Sequence, residues 1–138
     1  MNSLKGVEIG SKTKIVGPLF FFGELKIGAN CWIGRNFNVE GNGTLSIKDN
    51  CDFGPNVTVY TGGHEIGNQT RRAGKGYSST VLVESGCWIC GSVILLPGVV
   101  VHAGSVVGGG SVVNKSVAPD TLVAGAPAAW KRDLPADM

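Results

Sequence analysis

The chain has 138 residues, 22 of them Gly, with 43% hydrophobic residues, 16% charged residues and a formal net charge of +2. That length supports one domain with a real core, and the apolar content is too high for a disordered chain. The small net charge argues against a nucleic-acid or membrane-surface partner, and the one apolar cluster near the N-terminus, residues 19–22, is too short for a signal segment or a membrane span.

In chain order, the first eight residues read as a cap on the N-terminal end of a repeat. Ile9, Ile15, Phe21, Ile27, Ile33 and Val39 then stand six apart. Two extra residues around Gly41-Asn42-Gly43 shift the frame and read as a bulge or protruding corner. The period resumes at Ile47, Phe53 and Val59. Residues 60–80 are polar and Gly-rich and lose the period, which predicts a long protruding loop. On a regular scaffold such a loop is more often functional than idle. From Val83 the period returns through Ile89, Leu95, Val101, Val107 and Val113, and four places after each sits Cys87, Val93, Val99, Ser105, Ser111 or Val117. Pro119 and Pro127 break the pattern, so residues 118–138 are expected to form a C-terminal cap.

A period of six places no stripe on a helix of 3.6 residues per turn, and Val with Gly disfavours helix. Each hexad junction instead makes a three-residue strand whose outer residues face one way and whose middle residue faces the other. Gly supplies the corners. One hexad cannot bury its inward face, but stacked coils of three can, which predicts an all-β parallel β-helix of triangular section. Nine hexads before the loop and six after it give five coils. Cys31, Cys51 and Cys87 share one position on consecutive coils, so they should stack inward as small hydrophobes, with Trp32, Asp52 and Trp88 stacked outside them. The middle residues Leu82, Ile94, Val100, Val106 and Val112 are apolar, an outward surface that suggests association.

Several local patterns carry no chemistry. Cys87 and Cys90 form a C-x-x-C, yet no second pair completes a zinc site and no βαβ pattern supports a redox motif. Four Cys without a secretory signal fit a reducing, cytoplasmic setting. Gly74-Lys75 lacks the rest of a phosphate loop, and Gly108-Gly109-Gly110 precedes no helix. Of the two His, His102 falls at a corner and reads as solvated. His64 lies in the long loop between Gly62-Gly63 and Glu65.

The hexads, the Asn56-to-His64 run N-V-T-V-Y-T-G-G-H, Tyr77-Ser78, the run V-E-S-G-C-W-I-C-G-S-V-I-L-L-P-G-V-V and the tail T-L-V-A-G-A-P-A together resemble the hexapeptide-repeat, left-handed β-helix acyltransferases. The branch resembled is that of galactoside and maltose acetyltransferases, which includes capsular and exopolysaccharide O-acetyltransferases. The similarity runs from about Ile27 onward and is densest over residues 56–132. It implies transfer of acetyl from acetyl-CoA to a sugar hydroxyl by a cytoplasmic homotrimer with sites at subunit boundaries, without metal.

The resemblance assigns His64 as general base. The backbone N–H of Gly91 is the oxyanion candidate. Trp88, Gly91, Ser92, Gly109, Gly110, Asn114 and Lys115 line the coenzyme A groove, and Lys131 and Arg132 meet its phosphates. Tyr77, with Asn38 or Asn42, would touch the acceptor. Two departures stand out. The helical segment that precedes the coils in galactoside and maltose enzymes has no counterpart here, and the corner at residues 41–45 is shorter than theirs, so their acceptor sugar is not carried over. An N-acetyltransferase acting on an amino sugar, which could be nucleotide-linked, and a non-catalytic scaffold remain alternatives. A carbonic anhydrase on this fold needs three metal-binding His, and the chain has two.

Overall fold

A computed structural model describes residues 6–137, and these wind into a β-solenoid with three flat faces. The first face stacks Val7–Ile9, Glu24–Ile27, Thr44–Ile47, Thr80–Val83 and Val100–Val101. The second stacks Lys14–Ile15, Trp32–Ile33, Asp52–Phe53, Trp88–Ile89, Val106–Val107 and Thr121–Ala124. The third stacks Leu19–Phe21, Phe37–Glu40, Thr58–Tyr60, Ile94–Leu95 and Val112–Val113. Pairing within each stack is parallel and in register, so residues at equivalent hexad positions sit one above another.

The period of six is the cause. Ile27, Ile33, Val39, Ile47, Phe53, Val59, Val83, Ile89, Leu95, Val101, Val107 and Val113 are all buried in one core. Phe37 and Phe53 meet edge to face there, with ring centroids 5.4 Å apart. Corners need one residue in the left-handed region on each turn, which favours Gly or Asn. At one edge Asn36 and Asn56 take it with φ 60° each, and the Asn36 amide donates to Asn56 Oδ1 at 2.8 Å.

The predicted cysteine ladder is present. Cys31, Cys51 and Cys87 are buried, and Trp32, Asp52 and Trp88 stand in register outside them. The thiols do more than fill space. Each donates to the first corner carbonyl of the next coil: Cys31 to Lys48 at 3.2 Å, Cys51 to Glu84 at 3.1 Å and Cys87 to His102 at 3.2 Å. Ser105 continues the column with Ala118 at 2.6 Å. The position therefore wants a small side chain with one proton to give. Burial pushes the Cys31 thiol up in pKa, and the hydrogen bond to Cys87 followed by burial does the same for Cys51. Reaction with an alkylating reagent needs the thiolate. Burial raises the Cys90 thiol as well, while the hydrogen bond to Cys51 lowers that of Cys87, so access sets the order. Native protein should label at Cys90, which lies half-buried at a corner, while the other three label only after denaturation. Rapid native labelling of all four, counted by mass, would break this register.

Three expectations need correction. The solenoid has about six coils rather than five, because the tail adds another: Val117 bridges to Val101 and Thr121–Ala124 pairs with Val106–Val107. Ala129–Asp133 then folds back antiparallel on that last strand and closes its edge. The N-terminal residues 1–5 lie outside the described residues, and Val7–Ile9 is a strand of the first coil rather than a cap. The long protruding loop expected at residues 60–80 is present as a β-hairpin, Gly62–Ile66 against Ala73–Ser78. Finally, the apolar middle residues form no single patch. Leu82 and Val100 face out from the first face, Val106 from the second, and Ile94 and Val112 from the third.

Candidate active site

The frame slip and the hairpin leave the solenoid at the same edge, between the third and first faces, on adjacent coils. Their junction is held by Thr61, which is fully buried. Its hydroxyl accepts the Gly43 N–H at 3.0 Å and donates to the Glu40 carbonyl at 3.2 Å. The Thr61 carbonyl accepts the Ser79 N–H at 2.7 Å and the Ser79 hydroxyl at 3.1 Å, which pins the two ends of the hairpin together. Gly43 has no room for a Cβ, which would meet the Ser79 carbonyl, and at Gly41 (φ 107°) a Cβ would lie 2.7 Å from Thr61 Oγ1. Neither Thr61 nor Ser79 was among the residues picked out from the sequence. Their signal was faint: two small hydroxyl residues at the ends of the aperiodic stretch.

Beyond this clasp the strands pair Gly62 with Ser78, Gly63 with Tyr77 and His64 with Gly76, then Ile66 with Ala73, so the register slips at Glu65. Such bulges bend a strand and re-aim its side chains. The turn is fixed by Asn68, whose Oδ1 accepts the Thr70 N–H at 3.0 Å, while Gly67 N–H donates to the Arg72 carbonyl at 2.8 Å. Asn is suited to such turns because its side chain mimics the backbone two residues on.

His64 is exposed on this hairpin, and its Nδ1 lies 2.8 Å from the Gly74 carbonyl. A carbonyl only accepts, so Nδ1 carries the proton and Nε2 presents its lone pair. Gly74 is itself tightly held, since a Cβ there would be 2.9 Å from the Glu65 carbonyl. The imidazole borders a cleft of about 480 Å³ that also holds Asn42 and Tyr77, floored by Gly41, Gly62, Gly63 and Gly76. The Tyr77 ring crosses Gly63, where a Cβ would approach its hydroxyl to 2.8 Å. His64, Asn42 and Tyr77, singled out in sequence, thus share one cleft. Asn38 does not join them. It stands on the third face between Phe20 and Thr58 and donates to the Asn36 carbonyl at 3.2 Å.

The residues expected to hold coenzyme A fall elsewhere. Gly91, Ser92, Gly109 and Gly110 stack along the edge between the second and third faces, where the Gly110 N–H donates to the Gly91 carbonyl at 3.0 Å. Gly110 is left-handed (φ 73°), and nothing lies within 4 Å of where its Cβ would be. The backbone of this edge is open at Gly110, whereas a Cβ at Gly91 would lie 3.3 Å from Pro55. Trp88 projects from the second face next to this edge. Asn114 and Lys115 lie on the hairpin's own edge two coils further along, and Lys131 and Arg132 ride on the closing strand. A whole face separates His64 from Gly91. At about 3.3 Å per residue, six residues span up to about 20 Å.

His102 is not merely solvated. Its Nδ1 lies 2.9 Å from Glu84 Oε1, which also accepts the Ala103 N–H at 3.2 Å, on the edge between the first and second faces. Among the described residues no group of three or more His, Cys, Asp or Glu is placed to hold a metal ion. Among the same residues no helix is long and apolar enough to cross a membrane.

No protein-family model matches the chain. Galactoside O-acetyltransferase of Escherichia coli strain K12 is 33% identical over 132 residues, which is 91% of this chain and 63% of that protein. The galactoside O-acetyltransferase of Lactococcus lactis strain IL1403 is 35% identical over 131 residues, 92% and 63% of the two lengths. The chain thus spans less than two thirds of these curated relatives. An N-acyltransferase from Bacillus cereus, solved with dTDP and 3-hydroxybutyryl-CoA, superposes with a TM-score of 0.85 over 95% of this chain and 74% of that one; at 19% identity it shares the fold alone. A hexapeptide-repeat-containing acetyltransferase of Vibrio cholerae O1 biovar eltor, solved with acetyl coenzyme A, superposes with a TM-score of 0.72 at 30% identity, over 94% of this chain and 72% of that one. The hexads, the three-faced solenoid they build and this shared identity agree: the chain belongs to the hexapeptide-repeat acetyltransferases.

Proposed function

We propose that this chain transfers the acetyl group of acetyl-CoA to a hydroxyl of a saccharide, with His64 as general base. The observation that carries the reading is the His64–Gly74 hydrogen bond, 2.8 Å long, in a cleft it shares with Asn42 and Tyr77. Acetyl-CoA supplies an activated thioester, so the protein has little chemistry left to add. His64 Nε2 takes the proton of the acceptor hydroxyl as its oxygen bonds to the acetyl carbon. The Gly91 N–H stabilises the charge that develops on the carbonyl oxygen. As the carbon–sulfur bond breaks, His64 returns the proton to the departing thiolate. The Gly74 carbonyl keeps Nδ1 protonated and stabilises the imidazolium while it lasts.

The reading needs more than one copy of the chain. His64 and Gly91 sit on different edges of the solenoid, so a site containing both is built by the hairpin of one copy reaching the glycine edge of the next. Closed three-fold symmetry satisfies this for every copy at once. Apolar residues facing out from the first and third faces, Leu82 and Ile94 among them, supply contact surface for such packing.

The test pairs two measurements. Thiol release from acetyl-CoA, followed with galactosides, glucosides, amino sugars and an acceptor-free control, should depend on a saccharide hydroxyl. Release with no saccharide in the panel removes the reading, and release only with amino sugars transfers it to an amine. Sedimentation should show a three-chain species. A stable monomer near 14.3 kDa would remove the shared site.

A further inference from the structure

The outer surface of the second face carries a row that the proposed reaction does not use in full: Lys14, Trp32, Asp52 and Trp88, in register on four successive coils. Two indoles in line on one face, rimmed by polar groups, make the kind of exposed apolar surface that marks a binding site. Trp32 is 46% exposed and Trp88 54%. They stand two strands apart, roughly 9.6 Å at a strand spacing of about 4.8 Å. The Asp52 carboxylate lies between them, and the Lys14 ammonium sits 5.5 Å from the Trp32 ring centroid.

We infer that this row is a binding platform for an extended saccharide, so that the acceptor is a chain of two or more sugar units rather than a single sugar. The inference rests on the acetyl-transfer reading above and names the acceptor class for it. The chemistry of the row selects the ligand. An indole face offers a flat apolar surface that matches the C–H side of a pyranose ring, and its edge stays wet. Asp52 accepts hydroxyl protons and Lys14 donates to hydroxyl oxygens, both as charge-assisted hydrogen bonds. Trp32 is flanked by a polar cleft of about 340 Å³ that also contains Asn30, Asn50 and Lys12, which are further groups for hydroxyls. A protein surface is a poorer match, because packing over both indoles would bury Asp52 without a cation of its own at bonding distance, which is costly. Nucleic acid fits worse, since Lys14 and Asp52 cancel in charge. The row is also oriented for use. The row runs parallel to the glycine edge, and Trp88 lies three residues before Gly91, so a chain laid from Trp32 toward Trp88 passes beside the edge where the thioester is proposed to sit.

The test uses the full chain with β-linked gluco- and galacto-oligosaccharides of one to six units. Acetyl-transfer kcat/KM should rise about tenfold from one unit to two or three, the gain expected of one additional stacked ring. Trp32→Ala should erase that gain and leave the rate on the single sugar unchanged, while Trp32→Phe should keep part of it. Asp52→Asn, which changes charge but not shape, should also lower the gain and guards against a folding defect in the alanine variant. Titration of the indole N–H resonances with unreactive oligosaccharides gives a readout that does not depend on catalysis. If those resonances move while no saccharide is acetylated, the platform stands and the acetyl-transfer reading falls. If saccharides are acetylated with no dependence on length, or with a dependence that Trp32→Ala leaves intact, the platform falls and the reading stands. If Trp32→Ala changes the sedimenting species, the row is a contact between copies and the inference is overturned.

Discussion

His64→Ala should lower turnover by about 10²–10⁴-fold, the usual cost of losing a general base. Apparent acetyl-CoA affinity should stay near that of the wild type, because the groups proposed to hold the coenzyme lie on another edge and on the closing strand. The split between kcat and KM is the informative part, since a misfolded hairpin would move both. His102→Ala serves as the control. That imidazole pairs with Glu84 on a different edge, and its loss should change turnover little. Steady-state rates for the two variants with the same acceptor check this. Near-normal turnover in His64→Ala would remove the mechanism while leaving the fold untouched.

Phe53→Ala should destabilise the protein by about 3–5 kcal/mol, the range for deleting a large aromatic from a packed core. Phe53 is almost fully buried and stacks edge to face on Phe37 of the preceding coil. Its removal takes away its own transfer energy and opens a cavity between two coils. In a stacked array each coil is supported mainly by its neighbours, so the damage is not spread evenly. The coil concerned is the one from which the hairpin departs, and hairpin order should loosen with it. Thermal unfolding should shift down by roughly 10 °C or more. Phe53→Leu, which keeps most of the volume, should cost clearly less. An unchanged midpoint for the alanine variant would mean that this coil contributes little to the stack.

Most of the scaffold was legible because burial on a solenoid repeats. A residue such as Ile33 or Leu95 points inward by virtue of its hexad position, and the same position on each coil meets the same environment. The ladder of Cys31, Cys51 and Cys87 came from that rule alone. What the rule could not supply was why sulfur is there. The answer lies in the corner carbonyl of the next coil, which only stacking brings near. The end of the stack was hidden for a related reason. Thr121–Ala124 lies two residues short of the regular spacing, and it becomes a strand because Val106–Val107 offers it an open edge.

The candidate site was legible in part. His64, Asn42 and Tyr77 came from the family resemblance and lie where the strict pattern is interrupted, but an interruption says nothing about its own shape. The hairpin is held by backbone pairing, the Thr61 clasp and the Asn68 turn, none of which needs an apolar period. The tautomer of His64 was equally invisible, since it depends on a bulge at Glu65 and a carbonyl ten residues away. The inward columns, the corners and the places where the coil is broken are all written in the residue order, because a side chain facing a repeated core must recur with the repeat. Folding in three dimensions added that the breaks at residues 41–43 and 60–80 form one cleft, and that His64 and Gly91 lie on different edges. Those relations are set by which edge each coil turns at and by hydrogen bonds between backbones, and neither leaves a periodic mark on the side chains.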